Sequence, residues 1–197
     1  MGYFDWHREP GYVGDVTRHL AGARRVLDVG AGTGWLAGHV ADYTGVEGSP
    51  AAVAEAQRLG RNVVQADLRD ALPFADASFD AAVAKDVLEH VPDPAAVVRE
   101  IGRVLRPGGR VFASSPDAQR WVWDDYTHVR PFTRRGFRKL FADQGLVVER
   151  LGYETIVPGS SIVSGWTRRK RRPLALRALG RVRFLRRNVW VVARREN

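Results

Sequence analysis

Short apolar runs alternate with stretches of helical spacing along most of the chain. The runs Val26–Val29, Tyr43–Glu47, Asn62–Ala66, Phe79–Ala84, Arg110–Ser114, Leu146–Leu151 and Val189–Ala193 predict strands. Ala51–Leu59, Ala95–Leu105 and Thr133–Gln144 predict helices. Strands separated by helices imply an α/β protein built on a doubly wound parallel sheet. The turn chemistry agrees: Pro50 follows Ser49 at a helix start, and Pro107-Gly108-Gly109 closes a helix before the next strand. Ligands of such sheets bind beyond the carboxyl ends of the strands, so the residues after each strand are the candidates for chemistry.

The first strand runs into Gly30, Ala31, Gly32, Thr33 and Gly34, and Trp35-Leu36-Ala37 is expected to open a helix. A dinucleotide fingerprint would need its third glycine at position 35, where the chain has Trp35. Asp28, just before the turn, would also repel a pyrophosphate. S-adenosylmethionine carries a sulfonium, an ammonium and no phosphate, so the glycines can admit it while Asp28 faces its cationic end. Glu47 ends the second strand, where an acid can accept hydrogen bonds from both ribose hydroxyls. Gly48 follows it. Asp67 follows the third strand, where a carboxylate can accept from an adenine amino group while Leu68 touches the ring; a solvated loop acid is the plainer alternative.

Three motifs extend this pattern: "VLDVGAGTG", "FDAAVAKDVLEHVPD" and "LRPGG". Together they resemble the small-molecule branch (type 11/23-like) of class I S-adenosylmethionine-dependent methyltransferases, over roughly residues 20 to 150. The resemblance implies a Rossmann-like sheet of about seven strands, mostly parallel with an antiparallel last strand. S-adenosyl-L-methionine is the implied cofactor, with Ala84 and Lys85 beside its methionine part. It also implies that residues 1–20 form an N-terminal lid, making Tyr3, Phe4, Trp6 and His7 pocket candidates. His90 reads either as a base or, with Leu88 and Glu89, as packing at a helix start.

The segment "RWVWDDYTHVRPFT", Arg120 to Thr133, follows the fifth strand and gathers Trp121, Trp123, Asp124, Asp125, Tyr126 and His128. Family members often build the acceptor pocket here. Trp121, Trp123 and Tyr126 can wall it, and His128 can take a proton with Asp124 or Asp125 orienting it. The plainer reading is that His128 and one Asp tie the loop down. A divalent metal on Asp124, Asp125 and His128 is a further alternative, and the expected reading has no metal.

Composition changes the picture in two places. The chain of 197 residues has no cysteine, which excludes disulfides and thiolate chemistry, and its length fits one domain. The net charge of +9 is concentrated: residues 155–197 hold twelve of the 31 Lys and Arg but one of the 22 acids. Residues 155–187 read as a basic insertion between the last two strands. Within it Leu174, Ala175, Ala178, Leu179, Val182 and Leu185 share one helical face, and Arg177, Arg181, Arg183 and Arg187 lie mostly outside it. Three uses stand open: an Arg-rich helix packed on the sheet, contact with a membrane surface or an anionic or lipid-linked acceptor, and nucleic-acid binding. The last is the least favoured, because "AKDV" stands where base N-methyltransferases carry Asn/Asp-Pro-Pro-aromatic.

The N-terminal "MGYFDWHREP" has neither a secretory pattern nor a myristoylation signal, so a cytoplasmic location is expected, with peripheral contact at the inner face of a membrane as an option. The expected activity is methylation of a small-molecule or glycan-type acceptor, at oxygen if His128 is the base. A cofactor-binding enzyme that catalyses a cyclisation and an RNA methyltransferase are the alternatives.

Overall fold

The computed structural model describes residues 16–20, 22–155 and 186–196. The lid candidates Tyr3, Phe4, Trp6 and His7 and the basic stretch 156–185 lie outside them.

Seven strands form one sheet: β1 (Arg25–Val29), β2 (Asp42–Glu47), β3 (Val63–Gln65), β4 (Phe79–Lys85), β5 (Leu105–Pro116), β6 (Leu146–Thr155) and β7 (Arg186–Arg195). Their order is β3-β2-β1-β4-β5-β7-β6. The pairs from β3 to β5 are parallel, and β7 runs antiparallel to both β5 and β6. The expected doubly wound sheet with an antiparallel last strand is the one observed. The central strands are apolar on both faces because helices cover both; four of the five β1 residues and six of the seven in β4 are buried.

Beside the helical residues 16–19, the described residues form the helices α1 (Pro50–Arg58), α2 (Pro94–Val104) and α3 (Arg134–Asp143). Each begins where a side chain satisfies amides that the first turn leaves unpaired. Ser49 accepts from Ala52, Asp93 from Ala95 and Ala96, and Thr133 from Gly136. The apolar stripe of α2, Val97, Val98, Ile101 and Val104, is buried with Phe137 and Phe141 of α3 in one core cluster. Each such side chain contributes about 1.5–3 kcal/mol relative to exposure, so these helices are held by packing more than by propensity.

Two local expectations are corrected. Trp35-Leu36-Ala37 does not open a regular helix; residues 32–38 are successive turns, because Gly32, Gly34 and Gly38 all adopt positive φ. Pro107-Gly108-Gly109 does not sit between a helix and a strand either. β5 begins at Leu105, directly after α2, and these residues form an irregularity where its register on β4 shifts between Phe79 and Ala81.

Candidate active site

The register lines up the ends of four parallel strands. Val29 of β1 lies opposite Val46 of β2 and Ala84 of β4, and Glu47 lies opposite Gln65 of β3. The glycine loop after β1, Glu47, the Asp67 loop and Lys85 therefore open on one edge of the sheet.

The loop is tied to β2 through its backbone. Gly30 and Ala31 donate to the Val46 carbonyl at 2.9 and 3.0 Å, and Gly32 donates to Glu47 Oε2 at 2.9 Å. Glu47 Oε1 accepts from Ser49 at 2.8 Å, so this one carboxylate joins the loop to the start of α1. Gly30 has φ +71°, and a Cβ there would stand 2.5 Å from Val87 Cγ2, so no other residue fits. At Gly32 the situation is reversed: a Cβ would meet nothing within 4 Å. That open face above a backbone held by Glu47 is where a ligand can approach closely.

Asp28 is 1% exposed and accepts from the Tyr43 hydroxyl at 3.2 Å. Burial pushes its carboxyl up to about 7; the Tyr43 hydrogen bond and Lys85 oppose the rise and Glu47 adds to it. Asp28 therefore lies beneath the loop rather than in its mouth. A bound cation would stabilise its charged form, which suits an ammonium or sulfonium better than a phosphate. Asp67 is exposed, and Arg69 grips it through both carboxylate oxygens, holding it down at about 2. Gly48 is exposed, Leu68 is partly buried against the core and Ala84 is fully buried.

Lys85 is 8% exposed and pairs with Asp86, which also accepts from Ser114 Oγ at 3.1 Å and Asn188 Nδ2 at 2.7 Å. Asp86 sits at φ 52°, a conformation costly for a branched residue but tolerated by Asp. It joins the end of β4 to β5 and β7, a role that sequence reasoning missed because one partner lies 102 positions away.

The loop after β5 opens with a short 3-10 turn, Arg120–Asp124. It is pinned at its far end by Val129 and Arg130, whose amides donate to the Glu89 carbonyl at 2.8 and 3.2 Å. This brings together the rings of His90 and His128, whose centroids are 4.7 Å apart. Asp125 Oδ1 accepts from Thr127 Oγ1 at 2.6 Å, and Asp125 Oδ2 is 3.8 Å from His128 Nε2. Asp125 thus joins His128, whereas Asp124 is exposed and no described contact brings it there. Trp121 is half-buried, but Trp123 is 58% and Tyr126 96% exposed, so these two wall nothing among the described residues.

The sequence offers Glu89 only as packing at a helix start. It is 0% exposed, and neither of its carboxylate oxygens has a hydrogen-bond partner. Burial and the nearby Asp86 push it up to about 8. An acid between Leu88 and Val91 in an otherwise apolar run was the available signal. Burial and His128 together lower the pKa of His90.

A separate hollow of about 440 Å³, lined in part by Arg24, Asp80, Arg106 and Arg110, lies at the amino ends of β1 and β4. That is the opposite edge from the glycine loop. Its acid is already used: Asp80 accepts from the Arg24 and Arg25 amides and pairs with Arg106.

Residues 27–113 match the methyltransferase domain family. A ubiquinone biosynthesis O-methyltransferase of Xanthomonas oryzae pv. oryzae is 42% identical over 106 residues, 49% of this chain and 44% of that protein. The chain thus spans less than half the length of that relative. Among solved structures, geranyl diphosphate C-methyltransferase from Streptomyces coelicolor, in complex with Mg2+, geranyl diphosphate and S-adenosyl-L-homocysteine, superposes with TM-score 0.74 at 19% identity, over 94% of this chain and 80% of that one. The cyclase SpnF superposes with TM-score 0.70 at 23% identity, over the same shares. At these identities the two structures speak for the fold alone.

Proposed function

We propose that the chain carries a class I S-adenosylmethionine-dependent methyltransferase domain and that the protein methylates an oxygen of a small-molecule or glycan-type acceptor. When bound, S-adenosylmethionine supplies a methyl carbon already activated by its sulfonium. What remains for the protein is alignment of the acceptor and removal of its proton.

The observation that carries the reading is the juxtaposition at the sheet edge. A glycine loop with an open face at Gly32 adjoins, across the end of β4, a cluster of Glu89, His90 and His128 able to act on a hydroxyl. Glu47 holds the loop and Asp28 places a buried carboxylate beneath it for a cationic ligand. Sequence identity to an O-methyltransferase over residues of the same domain supports oxygen over nitrogen. The concentration of base in residues 155–197 supports an acceptor with an anionic or lipid-linked part, met at a membrane face by a protein of the cytoplasm. Among the described residues no helix is long and apolar enough to cross a membrane.

The test uses the purified chain, S-adenosylmethionine labelled on its methyl group, and a cell extract divided into metabolites, lipids, RNA and protein. Methyl ether formation in the metabolite or lipid fraction is expected. Label in RNA or protein instead, or turnover of an acceptor with no S-adenosylhomocysteine released, overturns the reading; the second result is the mark of a cyclase.

A further inference from the structure

Glu89, His90 and His128 each offer a ligand atom, and the three atoms lie within 4.8 Å of one another. We infer that this cluster is a binding site for a divalent transition-metal ion of the zinc class.

The hydrogen bonds around the two rings set their tautomers. The Val122 carbonyl, 2.6 Å from His128 Nδ1, can only accept, so Nδ1 carries the hydrogen and Nε2 keeps a lone pair. Thr127 Oγ1 gives its one hydrogen to Asp125 Oδ1, so toward His90 Nδ1, 3.0 Å away, it can only accept. The Thr127 carbonyl, 3.3 Å from the same nitrogen, is also an acceptor. His90 Nδ1 is therefore protonated too. Both imidazoles are oriented through Nδ1, one by a backbone carbonyl and one by a threonine backed by a carboxylate, and both leave Nε2 available. That is the arrangement by which proteins aim histidines at a metal.

Glu89 supplies the independent observation. A fully buried carboxyl with no partner at hydrogen-bond distance on either oxygen is costly in either protonation state, and a cation bound there would compensate its charged form. Two neutral nitrogens and one carboxylate oxygen suit Zn2+, Co2+, Mn2+ or Fe2+ and are a poor set for Mg2+ or Ca2+, which take oxygen ligands. Bonds of about 2.1 Å place neighbouring ligand atoms roughly 3–3.5 Å apart, so rotation of the side chains by an ångström or so closes the cluster. Three protein ligands leave a position open.

The site differs from the Asp124, Asp125 and His128 set suggested by the sequence: Asp124 takes no part, and Asp125 holds Thr127 through Oδ1 while its Oδ2 lies 3.8 Å from His128 Nε2, at the rim of the cluster. The ion's role, to hold the acceptor oxygen and ease loss of its proton to solvent, rests on the O-methylation reading; the binding of the ion does not.

The test is therefore a binding measurement. The full chain, stripped with chelator, is titrated with Co2+ and followed by its visible d–d absorption, with Zn2+ as competitor. One equivalent bound and displaced by Zn2+ is expected. Glu89→Gln and His90→Gln should each weaken it at least about tenfold. Asp143→Asn, at an exposed ion pair on α3, should leave it unchanged. S-adenosylhomocysteine binding monitors the fold of each variant. No saturable Co2+ band, or equal affinity in wild type and both folded variants, overturns the site. Neither result depends on finding an acceptor, so failure of the O-methylation reading is seen separately, as ion binding without a methylated hydroxyl.

Discussion

The glycine loop and the loop after β5 both present polar groups at the same edge of the sheet, yet they are built differently. The first is made of backbone: its amides are fixed to Val46 and Glu47 by bonds between neighbours in one parallel sheet. The second is made of side chains on two loops, joined where Val129 and Arg130 donate to the Glu89 carbonyl. A site built of backbone tolerates few residues at its turns. A site built of side chains depends on what packs behind them.

The sharpest way to break the first region is Gly30→Val. Positive φ and the clash with Val87 should act together, costing about 2–4 kcal/mol and abolishing cofactor binding. Thermal unfolding with and without S-adenosylhomocysteine reads both effects.

Asp28→Asn comes next. The folded carboxyl titrates near 7 against an ordinary value of 3.8, so the protonated form stabilises the fold. That stability is fully present below about pH 4 and is lost as pH rises to about 7, on the order of a few kcal/mol. The variant should show a flatter profile across this window and be the more stable protein at pH 8, while binding S-adenosylmethionine more weakly there. A wild-type profile as flat as the variant's would show that Asp28 is not buried as described.

Glu47→Gln keeps the shape but removes the charge that two amides share. A loss of about 1.5–3 kcal/mol in S-adenosylhomocysteine affinity is expected by calorimetry, with a smaller loss of stability.

The smallest effect sharpens the contrast from the other side. Tyr126→Ala should change stability by no more than about 0.5 kcal/mol, because the side chain is almost fully exposed. Any change it makes should then appear in the KM for the acceptor. A drop in melting temperature of several degrees would instead mean that Tyr126 is covered in solution.

What the sequence determined by itself is the part governed by neighbours along the chain. Alternating apolar runs and helical stretches specify strands and helices, Ser49 before Pro50 marks where one helix begins, and three spaced glycines announce a turn that a branched residue cannot make. These depend on φ, ψ and local hydrogen bonds, so they can be read without knowing the fold. The same local reading overreached at Trp35, where three positive-φ glycines replace a helix with turns. Only the tertiary structure decided which acids are buried. Asp28 is covered beneath the glycine loop, Asp86 is held by Asn188 from the far end of the chain, and Glu89 is enclosed beside His90 and His128 by the crossing of two loops. Burial and desolvation depend on what arrives from elsewhere in the chain, and so does the chemistry a carboxylate can perform.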